Sequence, residues 1–106
     1  MIYLEESMQV EASNLSEYLE AIEQIYLPAA RERGMRLLAC WHTPIDLGED
    51  VTVTTLFELR DFEEWDELRK RAVVDPALPA WLAARSSLTK KGTRRFYEPA
   101  AFSPLR

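Results

Sequence analysis

Residues 2–10 alternate, with Ile2, Leu4, Met8 and Val10 on one parity and Tyr3, Glu5, Ser7 and Gln9 on the other. A period of two means a strand with one apolar face, and Glu6 is the one break in it. From residue 15 to 33 the period lengthens. Leu15, Tyr18, Leu19, Ile22, Ile25, Tyr26 and Ala29 recur at helical spacing and form a single stripe. Asn14 followed by Glu17 has capping-box spacing, with Asn14 as the acceptor. Gly34 is placed to close the helix in the left-handed conformation. Pro28 lies inside the pattern and should kink its last turn, because it carries no amide hydrogen.

The second half repeats this alternation of periods. MRLLACWHT at 35–43 reads as a strand, and Pro44 and Gly48 mark a connection longer than a tight hairpin. VTVTTLFEL at 51–59 is β-branched and alternating. Val51, Val53, Phe57 and Leu59 form its apolar face; Thr52, Thr54, Leu56 and Glu58 form the other. Asp61 and Glu64 again have cap spacing, ahead of a helical stripe of Phe62, Trp65, Leu68 and Ala72. Asp75-Pro76 restarts a helix with proline in its first turn. Leu78, Trp81, Leu82 and Leu88 carry its stripe, and Gly92 is expected to end it. TRRFYE at 93–98 is the last strand, and PAAFSPLR at 99–106 is a tail.

The order predicts one α+β domain over residues 1–106, built βαββαβ. Helices on one face leave the other face of the sheet open. That face holds Tyr3, Glu5, Ser7 and Gln9 with Thr52, Thr54, Leu56 and Glu58. To these the second strand adds either Leu38, Cys40 and His42 or Leu37 and Trp41, and the last strand adds either Phe96 or Tyr97. Aromatic, aliphatic and titratable residues together suit a lined pocket better than open water. A second copy of the chain is the expected cover, through a two-fold contact. Phe102 and Leu105, flanked by Pro99 and Pro104, are expected to pack on that partner subunit.

Composition narrows the class. The chain has 106 residues, 47% hydrophobic and 29% charged, as in an ordinary globular protein. No apolar run approaches the roughly 18–20 residues that cross a bilayer, and MIYLEESMQV is not built as a secretory signal. The single cysteine, Cys40, leaves no intrachain disulfide and points to the cytoplasm. A net charge of −5 and a pI near 4.9 disfavour nucleic acid as a partner. Lys90, Lys91, Arg94 and Arg95 read instead as a charged edge strand.

The candidate chemistry is sparse. His42 is the only histidine and would be a general base or acid. Glu5 and Glu58, on neighbouring strands, would supply a carboxylate whose pKa enclosure raises. Tyr3 and Tyr97 offer hydroxyls to a substrate oxygen. Trp41, Leu56, Cys40 and Thr54 complete the expected wall. Cys40 and His42 share a strand face, but without further ligands no metal site is expected. Gly34, Gly48 and Gly92 stand apart, so no phosphate loop or dinucleotide fingerprint can be assembled, and no serine sits in a nucleophile elbow. Any catalysis is therefore expected to run without a cofactor.

With its elements placed, the chain resembles the NIPSNAP-type branch of the dimeric α/β-barrel, ferredoxin-like superfamily. The matching residues are Gly34, Trp41 and Gly48, then Asp61, Trp65 and Arg69, then Asp75-Pro76, Trp81 and the closing Phe102-Ser103-Pro104-Leu105. Asp50 departs from the uncharged polar residue expected there. The resemblance implies an antiparallel four-stranded sheet and a homodimer whose two sheets form one barrel. A pocket would lie between each sheet and its helices or at the barrel centre. Similar folds serve cofactor-free monooxygenases, haem-degrading enzymes, isomerases, cyclases and proteins without catalysis. The resulting expectation is a homodimeric, cofactor-independent isomerase or cyclase of a small, mainly apolar metabolite. The alternatives are a cofactor-free monooxygenase of an aromatic substrate and a non-catalytic binding module.

Overall fold

β-branched alternation builds the middle of the sheet. β1 (Ile2–Val10) and β3 (Val51–Leu59) pair antiparallel along their whole lengths, from Ile2 opposite Leu59 to Val10 opposite Val51. β2 (Arg36–His42) joins the far edge of β3 and β4 (Gly92–Tyr97) the far edge of β1, both antiparallel. The order is β2-β3-β1-β4, a ferredoxin-like α+β sheet. This computed structural model describes residues 1–46 and 48–105.

The apolar parity of both central strands faces the helices. Leu4, Val10, Val51, Phe57 and Leu59 are wholly excluded from water. They pack with Leu15, Tyr18, Ile22, Leu27 and Ala30 of the first helical run, and with Leu68 and Trp81 of the later helices. A side chain the size of Phe57 contributes about 1.5–3 kcal/mol when fully buried. Among the described residues, no helix is long and apolar enough to cross a membrane.

Four local expectations are corrected. Asn14 does not cap through its side chain; it ends a 3-10 turn over Ala12–Asn14 with backbone already helical. The first helix is α1 (Leu15–Ala21), a π-helical turn over Ile22–Tyr26, then α2 (Leu27–Glu32). The irregularity thus lies in the turn before Pro28, where a wider turn relieves the carbonyl that the proline ring would meet. Gly92 does not end a helix. α4 (Leu78–Leu88) stops at Thr89, and Gly92 opens β4. A Cβ there would collide with Met8 Sδ and stand 2.9 Å from Ser7 O, so close strand packing is what demands glycine.

The fourth concerns the parity of β2, which is not uniform. Leu37 lies opposite Phe57, on the helix side, but a register shift between Leu37 and Ala39 puts Cys40 opposite Thr55 and His42 opposite Val53. Trp41, opposite Thr54, therefore faces the open side, while Cys40 and His42 face the helix side. On β4, Phe96 falls with Leu4 on the helix side and Tyr97 with Tyr3 on the open side. Other expectations hold. Gly34 has φ 95° after α2, and Asp61 Oδ1 accepts the Glu64 amide at 2.8 Å to start α3 (Phe62–Val73). Asp75 Oδ1 likewise accepts the Ala77 amide before α4, at 2.8 Å.

Candidate functional site

Glu6 occupies a position that the period of β1 assigns to the core, so it needs a partner there. It has two. Its Oε1 accepts the Tyr26 hydroxyl at 2.6 Å, and its Oε2 accepts from Arg94 Nη2 at 3.1 Å. The carboxylate side chain is only 18% exposed. Tyr26 is the last residue of the π turn, a distortion often found where a side chain is aimed at a site. Its ring stacks on Trp81 at 4.6 Å and 6°, and Trp81 stacks in turn on Tyr18 at 6.0 Å. Arg94 reaches Glu6 from β4 while its guanidinium lies 5.1 Å over the ring of Trp65.

These groups wall a cavity of about 260 Å³ between the sheet and α3 and α4. Trp65, Trp81, Met35 and Leu68 give it an apolar body, and Glu6, Tyr26 and Arg94 give it a polar end. Arg33, Arg69 and Arg85 also line it. Arg33 Nη1 holds Asp75 at 2.8 Å, but its buried Nε has no hydrogen-bond partner among the described residues. Burial, then the Glu6 charge, lifts the Tyr26 pKa well above 10.0, so its hydroxyl remains a proton donor. The same two causes push Tyr18 up to about 12. A carboxylate, a neutral phenol and a guanidinium meeting at one end of an aromatic cavity can take a proton and steady the anion left behind.

The residues singled out in the sequence are divided between two faces. Tyr3, Glu5, Leu56 and Tyr97 line one cleft of about 470 Å³ on the open face, closed on one side by tail residues including Pro99, Phe102 and Leu105. Tyr3 is 5% exposed there, and its hydroxyl lacks a partner among the described residues. Glu58 shares that face but reaches Arg36 at 3.4 Å, and the Thr54 hydroxyl bonds to Ser7 at 2.9 Å. Trp41, 59% exposed, lies at the edge of the same face.

Cys40 and His42 lie on the other side of the sheet, away from Glu58 and Tyr3. Burial raises the Cys40 pKa, and His42 Nδ1 donates to Thr43 O at 2.8 Å. Within one chain, His42 and Glu58 do not face a common cavity. Asp50, the departure noted in the connecting loop, accepts from Lys90 Nζ at 3.1 Å. Among the described residues, no three His, Cys, Asp or Glu side chains cluster as metal ligands would.

Glu6, Tyr26, Arg94, Arg33 and Arg85 were not among the residues singled out. One signal pointed to them. Glu6 breaks the alternation of β1, and a charge on a core-facing parity implies a buried partner or a site.

The sequence profile of the NIPSNAP family matches residues 3–104. Among curated proteins no sequence matches. Several solved structures share the fold. A NIPSNAP domain protein from Burkholderia xenovorans is 23% identical with a TM-score of 0.84, over 98% of this chain and 99% of that one. A NIPSNAP family protein from Agrobacterium tumefaciens is 24% identical with a TM-score of 0.83, over 99% and 90%. An antibiotic biosynthesis monooxygenase is 11% identical with a TM-score of 0.64, over 94% and 99%. At such identities the likeness establishes the fold alone.

Proposed function

The chain belongs to the NIPSNAP family, and from that premise we propose that it is a cofactor-independent enzyme moving a proton on a small, mainly apolar metabolite. The observation that carries this is the Glu6 carboxylate, bonded to Tyr26 and Arg94 at the end of an aromatic cavity. Glu6 is the base. Trp65 and Trp81 hold a flat, apolar substrate against it. The Tyr26 hydroxyl turns from the carboxylate to the substrate oxygen as Glu6 takes the proton, and Arg94 offsets the negative charge of the resulting enolate or phenolate. Returning the proton to another carbon is isomerisation; attack of the enolate on a second carbonyl is cyclisation.

The site is served by a homodimer in the cytoplasm, its open sheet faces meeting through Trp41, Tyr97 and the tail. In this reading Tyr3, Glu5, Leu56 and Tyr97 belong to the space between the subunits, and His42 is outside the proton transfer. The test is deuterium incorporation next to the carbonyl of enolisable aromatic and alicyclic ketones in heavy water. Incorporation that requires the protein and disappears in Glu6→Gln supports the reading; the same rate with either protein removes it.

The aromatic walls favour one second reading, a cofactor-free monooxygenase; one structure of this fold is named an antibiotic biosynthesis monooxygenase. There the phenolate left by Glu6 would itself react with oxygen. Oxygen uptake with electron-rich naphthols separates the two.

A further inference from the structure

The charges around the aromatic cavity do not cancel. Arg33, Arg69 and Arg94 are each matched by a carboxylate, Asp75, Asp66 and Glu6 in turn. Arg85, near the end of α4, has no ion-pair partner among the described residues. It lines the cavity beside Leu82 and Trp81. In a chain of net charge −5, an unmatched and half-buried cation in a cavity wall calls for a ligand.

Beyond that wall lies a second cavity, of about 370 Å³. Glu6, Arg85 and Arg94 line both, so these three side chains form the partition between them. The second space is basic. Lys90 and Lys91 both border it, but Lys90 is held by Asp50 and Glu11, and the Lys91 backbone pairs with Gln9, a register that puts its side chain with Gln9 and Thr52 on the open face. The start of β4 at Gly92 is also in its lining, pressed against Met8 with no side chain of its own to fill the space. An apolar compartment thus adjoins a polar one, with the uncommitted Arg85 between them.

We propose that the ligand of the Glu6–Tyr26 site is an amphipathic anion, with a ring system in the aromatic cavity and a terminal phosphate or carboxylate in the basic annex. This rests on the proposed function for the cavity and adds the chemical class of what enters it. Arg85 supplies a planar pair of donors to the oxyanion. The paired guanidinium of Arg94 stays with Glu6 and Trp65. The anion fixes which end of the ring meets Glu6, so charge sets the direction of binding.

The test is binding of 2-naphthyl phosphate, 2-naphthoate and uncharged 2-naphthol, followed by quenching of tryptophan fluorescence. The phosphate and the carboxylate are expected to bind about tenfold or more tightly than the naphthol, as charge-assisted hydrogen bonds do. Their margin over each other tells which oxyanion the annex prefers. Arg85→Gln should erase most of that preference and lower the naphthol affinity far less. Arg95→Gln, on the opposite face, should leave all three unchanged. Equal binding of the naphthol and the anions, or a preference that survives Arg85→Gln, overturns the amphipathic anion and leaves proton transfer standing. Failure of all three probes to saturate the protein removes the cavity as a site for such molecules and both readings with it.

Discussion

The Tyr26 hydroxyl meets Glu6 Oε1 at 2.6 Å and so ties the π turn of the first helical run to β1. The bond is partly buried and ends on a charge, which places it among the stronger kinds of hydrogen bond. Tyr26→Phe keeps the ring on Trp81 but leaves one carboxylate oxygen without its donor. It is expected to lower stability by about 1–3 kcal/mol in urea unfolding. An unchanged midpoint would show that the bond adds nothing net to the fold.

Activity should follow Glu6 rather than His42. Glu6→Gln retains a side chain of the same size that can still face Tyr26 and Arg94, but cannot accept the proton. The expected loss of turnover is about 100-fold or more, typical of removing a positioned base. His42→Ala, on the exposed edge strand, is expected to leave turnover and melting temperature unchanged. If His42→Ala abolishes activity while Glu6→Gln does not, the chemistry lies at the β2 edge.

Two buried phenols set an alkaline limit to stability. Tyr26 and Tyr18 are held above 10.0 in the folded protein by burial and by the Glu6 charge. Above pH about 10 the unfolded chain releases these protons and the folded chain does not, so stability falls as pH rises. Below that pH both states hold them, and this contribution is complete. Melting temperature should therefore decline from pH 10 towards 12, with Tyr18 and Tyr26 ionising late in ultraviolet titration. Tyr26→Phe should flatten the decline. Ionisation of Tyr18 and Tyr26 near pH 10 would contradict this account.

The fold was legible because period-2 and helical stripes are strong signals. β1 and β3 fall on the residues that alternation marks, 2–10 and 51–59. What the pattern could not carry was geometry between elements. The bulge between Leu37 and Ala39 lies in the pairing of β2 with β3, so the sequence left Trp41 and His42 without a side. Gly92 looked like a helix terminator because its true cause, Met8 across the strand pair, is distant in sequence. The site was half-visible. Glu6 announced itself as a break in β1, but Tyr26 looked like one more member of an apolar stripe. Arg94 read only as part of a charged edge strand, and Arg85, which falls on the α4 stripe between Trp81 and Leu88, passed unread until the helices were laid on the sheet.

The open sheet face gives the last prediction. It carries its charges as neighbours of opposite sign, Glu58 with Arg36 at 3.4 Å and Glu5 opposite Arg95. Charges arranged so can be covered at lower cost than single ones. Around them Trp41 and Tyr97 are exposed, and Phe102 of the tail is 89% exposed. Unmatched apolar rings of this size, grouped on one face, are what an isologous contact buries. Sedimentation equilibrium is therefore expected to give twice 12.3 kDa for the native chain. Trp41→Glu places an unpaired charge in that contact, costing several kcal/mol if it stays buried. It should sediment at 12.3 kDa with its circular dichroism intact. A native chain that sediments as a monomer would mean that the face is wet and that the Tyr3 cleft opens to solvent rather than to a partner.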